Sequence, residues 1–387
     1  MKRITTIAAT LGLAAGSLLG SGTAAHAAGG GLVFDETIPT PQNLNTTIGR
    51  PVVGDFDGNG SDDIFWYRPG PGTDVIWFGV GAGRNFGVVA RPVSGTYTPL
   101  VGDFDGNGVD DIFWYAPGTA ADSVWYFDGE GRPTPRSMPV NGHYRPVVGW
   151  FDENDADHVS RTDIFWYGPG AAIDSLWSGR ADRTFDNHPH TIGGDYQLLV
   201  GAFTPINPGV DGSTDGTLDI FFYQPGPTPD PLWKGDGNGN FVPRTYNVNG
   251  TYRPFVGLFD GYGVDDIFWY APGPAADSVW LADPDSGLLT PHATSVTGTY
   301  TPITGPFDLP DEPIIWHTDS AADSIWYPNG EPGTWSRTIG PWSNTEFTSP
   351  RTPIIGDFDG DNGKDIVWFG PGGLPEVAMW GPPIVPT

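Results

Sequence analysis

No cysteine occurs anywhere in the 387 residues. Disulfides, zinc–thiolate sites, cysteine nucleophiles and lipidated cysteines are therefore excluded, and stability has to come from packing, size or metal. Basic residues are scarce as well: 18 Lys and Arg face 46 Asp and Glu, for a net charge of −28. A chain of that sign is repelled by nucleic-acid backbones and anionic membrane surfaces, so neither is expected as a partner. Beyond the N-terminal stretch no apolar run is long enough to cross a bilayer, and no membrane insertion is expected. Gly-x-Ser-x-Gly, His-Glu-x-x-His and a glycine-rich phosphate loop are missing too, which leaves little support for catalysis. His188-Pro189-His190 is too short an array for a metal site and reads as a surface loop.

Glycine (57), proline (40) and tryptophan (16) are abundant instead. With 13% aromatic and 38% hydrophobic residues the chain can bury a core, unlike a disordered acidic tail. The combination predicts many short strands joined by tight turns. The N-terminal residues read differently. Lys2 and Arg3 precede an apolar stretch from Ile4 to Leu19, and Ala25-His26-Ala27 has the small-x-small pattern of a signal peptidase site. Residues 1–27 are expected to be a secretory signal, and residues 28–387 a secreted, extracellular and monomeric domain.

One unit recurs seven times along that domain. Its first copy is Gly54-Asp55-Phe56-Asp57-Gly58-Asn59-Gly60, then Asp63-Ile64-Phe65-Trp66-Tyr67, Pro69-Gly70 and Trp77. The leading glycines are Gly54, Gly102, Gly149, Gly201, Gly257, Gly305 and Gly356, each followed two residues later by phenylalanine. One aromatic column runs Trp66, Trp114, Trp166, Phe222, Trp269, Trp316 and Trp368; a second runs Trp77, Trp125, Trp177, Trp233, Trp280, Trp326 and Trp380. Both read as core. Each repeat reads as four short strands, a to d, as in Pro99 to Phe104, Asp111 to Tyr115, Ser123 to Phe127 and Arg136 to Val140. Strand b is apolar on both faces, so sheets must stack face to face. The expected fold is all-β: a seven-bladed β-propeller of four-stranded blades. The last repeat lacks a clear strand d, and the spare piece Gly31 to Thr37 is expected to supply it and close the ring.

Between strands a and b lies an acidic loop. In the first repeat Asp55, Asp57, Asn59 and Asp63 occupy positions 1, 3, 5 and 9, with the Ser61 carbonyl at 7. Oxygens at that spacing can wrap one hard cation. The second repeat offers Asp103, Asp105, Asn107, Val109 and Asp111; the seventh offers Asp357, Asp359, Asp361, Gly363 and Asp365. The fourth has an insertion, yet Asp211, Ser213, Asp215, Thr217 and Asp219 restore the spacing. Trp150, Leu258 and Pro306 replace the first Asp in repeats three, five and six, which are not expected to bind. About three or four calcium ions are expected in all. This loop, following a Gly-x-Phe strand, resembles the FG-GAP or VCBS-type repeat. That resemblance covers nearly all of residues 28–387. It implies the calcium-binding seven-bladed propeller of integrin α subunits and of secreted bacterial and fungal proteins, some lectins among them. The family hosts adhesion, sugar binding and appendages of secreted hydrolases and lyases, so it says little of function.

Propeller topology sends the b–c and d–a loops to the end opposite the acidic loops. The d–a loops carry Tyr97, Tyr144, Tyr196, Tyr252 and Tyr300, with Arg145 and Arg253 beside two of them. The b–c loops carry Asp74, Asp122, Asp174, Asp230, Asp277 and Asp323, with Glu376 last. Rings stack on sugar faces and carboxylates accept hydroxyl hydrogens, so Tyr97, Asp122, Tyr144, Arg145, Tyr196, Tyr252, Arg253, Asp277 and Tyr300 are the candidate ligand residues. The competing reading caps turns with the aspartates and wedges the tyrosines between blades. The expected function is a binding module for an extracellular glycan or protein. The alternatives are an adhesion or interaction scaffold, and a glycan-active hydrolase or lyase acting in the funnel.

Overall fold

In the computed structural model the chain is described at residues 33–35, 49–81, 85–152, 159–205, 217–261, 263–305, 307, 312–318, 323–329, 332–339, 351–370 and 377–380. Runs of β-branched and aromatic residues form the strands, and glycine, proline and aspartate occupy the turns between them. After β1 (Val33–Asp35), blade one comprises β2 (Arg50–Gly54), β3 (Asp63–Tyr67), β4 (Val75–Gly79) and β5 (Phe86–Ala90). Blade two comprises β6 (Thr98–Gly102), β7 (Asp111–Tyr115), β8 (Ser123–Phe127) and β9 (Pro133–Ser137). Blade three is β10 (Arg145–Gly149), β11 (Asp163–Tyr167), β12 (Asp174–Gly179) and β13 (Phe185–His190); blade four is β14 (Gln197–Gly201), β15 (Asp219–Tyr223), β16 (Asp230–Gly235) and β17 (Phe241–Tyr246). Blade five is β18 (Arg253–Gly257), β19 (Asp266–Tyr270), β20 (Asp277–Ala282) and β21 (Leu289–Thr294). Blade six is β22 (Thr301–Thr304), β23 (Ile314–His317), β24 (Ser324–Pro328) and β25 (Trp335–Ile339). The chain then adds β26 (Thr352–Gly356), β27 (Asp365–Phe369) and β28 (Val377–Trp380).

The expectation of a seven-bladed propeller needs correction. Six sheets are complete blades, each built from four consecutive antiparallel strands. The remaining sheet is partial: β26, β27 and β28 supply three strands, and its outer place is taken by the three-residue β1 from the far end of the chain. The register runs from Val33 opposite Trp380 to Asp35 opposite Ala378. Strand d also lies earlier than expected in blade two, at 133–137 rather than 136–140. The reason is Asp122: its carbonyl takes the N–H of Met138 and its carboxylate takes that of Val140, which draws both out of the ladder. Likewise His188-Pro189-His190 is not a loop but the end of β13, an outer strand where proline costs no ladder bond.

Burial follows strand order. First strands of neighbouring blades touch, as β2 does β6 and β14 does β18, and so form the inner wall. Second strands such as β3 and β7 are buried at every residue. Outer strands such as β13 are mostly open to solvent. Because side chains alternate, β3 serves two cores. Ile64 and Trp66 pack with Ile354, Phe358 and Val367 of the partial sheet, whereas Phe65 and Tyr67 pack with Ile112 and Trp114 of blade two. The two aromatic columns meet edge to face within each blade, for example Trp66 with Trp77 at 5.2 Å and Trp269 with Trp280 at 5.4 Å between ring centroids.

Deleting residues 28–38 removes β1 and leaves β28 as an open edge. The truncated protein should melt at lower temperature and elute as associated species on size exclusion. A monomer with an unchanged melting curve would show that β1 is dispensable.

Candidate metal centres and the opposite loop face

The a–b loops of blades one and two and of the partial sheet gather carboxylates. Asp55, Asp57 and Asp63 each offer an oxygen within 4.8 Å of the others, as do Asp103, Asp105 and Asp111, and Asp357, Asp359 and Asp361. Oxygens around one calcium ion fall within such spacing, since each lies about 2.3–2.6 Å from the metal. The loops are shaped by their own first residue. Asp55 accepts from the N–H of Asn59 at 3.1 Å and of Gly60 at 2.9 Å, and Asp103 does the same with Asn107 and Gly108. Gly60 and Gly108 hold φ of 88° and 84°, which side chains resist. Asn59 and Asn107 turn their amides outward to Gly79 and Phe127 carbonyls, while each Oδ1 accepts the N–H of Ser61 or Val109. In the partial sheet Gly363 donates to Asp361 at 2.8 Å.

Position 9 has a second task that the sequence reading missed. Asp63 accepts the N–H of Phe56 at 2.7 Å and of Gly79 at 2.8 Å, tying the ends of strands a and c to strand b. Asp111 does the same with Phe104 and Phe127. Asp163 and Asp266 make equivalent bonds although Trp150 and Leu258 stand in place of the first Asp of their loops. The recurrence of this Asp in repeats with degenerate loops was the available signal. Asp365 accepts the Phe358 N–H and lies outside its own carboxylate cluster. In the fourth loop Asp219 binds Thr204 Oγ1 and the Gly235 N–H, and Thr217 is buried; Asp211, Ser213 and Asp215 lie outside the described residues.

Position 8 was also missed. It bolts each loop to its neighbour. Asp110 donates its N–H to the Asp55 carbonyl at 2.9 Å and accepts the Asp55 N–H at 3.1 Å. Asp62 repeats this with Asp357 across the junction between the chain's two ends, at 2.6 and 2.7 Å, and Lys364 joins Asp62 at 3.1 Å.

Crowded and buried, these acids resist ionising. Burial, with Asp57 and Asp55 adding repulsion, pushes Asp63 up to about 9. Burial, with Asp105 and Asp103, does the same to Asp111, also to about 9. Asp357 is pushed up to about 6 by burial, with repulsion from Asp62 adding. Asp55, Asp57 and Asp103 are raised as well, mainly by burial.

The opposite loop face is built from paired columns. The b–c loops meet the d–a loops through glycine bridges, Gly70 with Gly95 and Gly118 with Gly142 among them. Asp122, which is 2% exposed, accepts from the Ala116 N–H at 2.6 Å and the Val140 N–H at 2.8 Å. Asp277, 3% exposed, accepts from Ala271 and Val296 at 2.7 and 2.6 Å. Asp74, Asp174 and Asp230 repeat the pattern, and Asp323 bonds the Thr318 N–H and His317 Nδ1. Both oxygens of Asp122 and Asp277 are thus engaged by backbone. Glu376 lies outside the described residues.

The candidate tyrosines are held from strand b. Tyr67 donates its hydroxyl hydrogen to the Gly95 carbonyl and accepts the Tyr97 N–H, and Tyr115, Tyr167, Tyr223 and Tyr270 do likewise for Tyr144, Tyr196, Tyr252 and Tyr300. Their rings lean edge-on against the next sheet: Tyr97 on Trp114, Tyr144 on Trp166, Tyr196 on Phe222, Tyr252 on Trp269 and Tyr300 on Trp316. Tyr196 is buried and the other four are half-buried. Arg145 forms an ion pair with Asp195 and bonds the Tyr196 carbonyl at 3.0 Å. Arg253 is exposed at the matching place, where Thr299 stands in the next loop instead of an aspartate.

No protein-family model matches the sequence, and no curated protein matches it. Among solved structures the chain is similar to an Agrocybe aegerita lectin described for specific recognition of non-reducing terminal N-acetylglucosamine, at 16% identity over 76% of this chain and 80% of the lectin, with a TM-score of 0.56. It is similar to BBS1N, solved in complex with ARL6DN, at 9% identity over 90% of this chain and 96% of that one, with a TM-score of 0.50. For the exotype rhamnogalacturonan lyase YesX the figures are 12% identity, 92% and 76% coverage and a TM-score of 0.48. The likeness to the first two is one of fold: the protein is a β-propeller with blades of four antiparallel strands.

The raised acids set a pH dependence. The folded chain keeps protons that the unfolded chain releases near pH 4, so their stabilisation is full below about pH 4 and is lost as pH rises through the folded-state values. With chelator present, the melting temperature should fall between about pH 5 and pH 9. Saturating divalent cation should flatten or reverse that slope, because it binds the deprotonated loops. A chelated melting temperature that rises over this range would contradict protonated carboxylate clusters.

Proposed function

We propose that this chain is a secreted, calcium-stabilised propeller of the FG-GAP or VCBS type that serves as a binding module for extracellular glycans. The observation that carries the calcium reading is the recurrence of one carboxylate cluster, with oxygens within 4.8 Å, in three equivalent a–b loops. Asp55, Asp57 and Asp63 with Asn59 and the Ser61 carbonyl would hold one ion. Asp103, Asp105 and Asp111 with Asn107 and the Val109 carbonyl would hold a second. Asp357, Asp359 and Asp361 with the Gly363 carbonyl, and Asp365 nearby, would hold a third. Asp211, Ser213, Asp215, Thr217 and Asp219 are proposed as a fourth set. A bound cation supplies the positive charge that otherwise has to come from protons. The glycan reading is supported by the fold shared with a lectin and by the opposite loop face. There Arg253 and the rims of Tyr252 and Tyr300 offer a donor beside half-buried rings. Asp230 and Asp277 contribute by fixing the loops that carry Tyr252 and Tyr300, as Asp122 does for that of Tyr144. A protein ligand on the same face is the second reading, favoured by the likeness to BBS1N, which was solved in a complex.

Calcium at a hundredfold excess over its Kd should add about 2.7 kcal/mol per filled site, and chelator should remove it. Asp57→Ala, Asp105→Ala and Asp359→Ala should each reduce the calcium-dependent rise in melting temperature, while Asp260→Ala in the degenerate fifth loop should not. Identical melting curves in calcium and chelator would overturn the assignment.

A glycan array probed with and without calcium tests the ligand. Arg253→Ala should weaken retention of a bound glycan by about 1.5–3 kcal/mol, the worth of charge-assisted hydrogen bonds, at unchanged melting temperature. Retention equal to wild type on every positive spot would remove Arg253 from the site.

A further inference from the structure

The metal loop of blade two differs from that of blade one in what covers it. The turn joining β12 to β13 in blade three carries Arg183, whose Nε donates to Asp105 Oδ2 at 2.8 Å. The Asp105 side chain is 4% exposed, so this pair is shielded from solvent on the carboxylate side. The guanidinium lies 4.9 Å from the centre of the Tyr126 ring. The Arg183 carbonyl is pinned in turn by the Tyr126 hydroxyl at 3.2 Å and by Arg136 Nη1. A second arginine, the buried Arg161, donates Nε to the Asp105 carbonyl at 3.1 Å.

The backbone marks Arg183 as unusual. It holds φ of 66°, a left-handed conformation that a residue with a Cβ resists. It stands two residues before the outer strand of its blade. In blades two, four, five and six that place is taken by Gly131, Gly239, Gly287 and Gly333, with φ of 68°, 73°, 63° and 71°. An arginine at a glycine place is kept there by what its side chain and carbonyl bind. Loop one is met differently: the blade-two turn brings Gly129 beside the Asp57 carbonyl, and Arg132 of that turn is engaged by Asp128 and Glu130.

We propose that Arg183 is a tethered counter-charge that satisfies Asp105 without a divalent cation and makes loop two a weaker calcium site than loop one. The inference rests on the calcium reading above. A guanidinium hydrogen-bonded to a ligand carboxylate draws off its negative potential and repels an arriving cation, which must share or displace it. Ordering of the blade two–three junction is then less dependent on calcium than that of the one–two junction.

Calorimetric titration with calcium tests this, using Asp57→Ala/Asp359→Ala protein to isolate loop two from the two sites most like it. Adding Arg183→Gly, the residue of blades two, four, five and six, or Arg183→Gln should tighten calcium binding by about tenfold or more through loss of like-charge repulsion. In chelator, Arg183→Gln should melt lower than its parent, because Asp105 loses its partner. If the double variant does not fold, the same substitutions in the otherwise wild-type chain should tighten the weaker class of sites and leave the tighter class unmoved. Unchanged or weaker affinity in both Arg183 variants, with wild-type calcium binding intact, overturns this proposal alone. No calcium binding by the wild-type chain overturns the calcium reading, and this proposal with it.

Discussion

The structure depends on one constraint: the second strand of every sheet is buried on both faces. In β3, β7, β11 and β19 an isoleucine and a tryptophan face one neighbour while a phenylalanine and a tyrosine face the other. No such strand can be satisfied in a lone sheet, because one apolar face would stay wet. Each sheet therefore needs a sheet on either side, and a row of sheets with no free face has to close. Closure falls at the shortest described strand, the three-residue β1 completing the partial sheet, and is reinforced by the Asp62–Asp357 and Lys364 contacts.

With the interior committed to aromatic packing, polar order is left to aspartate. One column takes the backbone N–H groups where strands b, c and d end together, and another ties strands a and c at the opposite end. Buried acceptors of this kind stand in for ladder bonds that sharp turns cannot make. They also explain how so acidic a chain folds: much of its charge is consumed locally by N–H groups. The acids that remain in excess are those of the a–b loops in blades one and two and the partial sheet, where three carboxylates converge and their protons are hard to remove. Those loops sit at the joints between sheets, because the residue before each position-9 Asp bonds the first loop residue of its neighbour. Charge compensation in a loop and ordering of a joint are for that reason one event, whether the compensating charge is a proton, a cation or Arg183.

The repeat, its four-strand content and the acidic spacing were legible in the sequence because each depends on local pattern. Alternation decides which faces are apolar, glycine and proline mark the turns, and ligand spacing within nine residues is short enough to read along the chain. The two Trp columns announced stacked sheets for the same reason. Dual roles were not legible. Asp63 reads as a ligand because its partners Phe56 and Gly79 lie on two other strands; for Asp122 and Asp277 the sequence left open a turn-capping reading, which the structure shows, but not the second N–H that each holds from 18 or 19 residues further along.

What crosses between sheets was decided by the tertiary structure alone. Arg183 and Asp105 are 78 residues apart, and Asp62 and Asp357 are 295 apart. Nothing in either local sequence distinguishes Arg183 from a solvated turn residue; only the left-handed backbone and the buried carboxylate opposite do so. The equivalence of Arg145 and Arg253 dissolves in the same way, since Asp195 in one neighbouring loop is Thr299 in the other. Sequence by itself determined the succession of strands and turns, because their preferences act over a few residues. The partnership of charges was settled only when the ring brought distant loops together, because electrostatic pairing depends on distance in space.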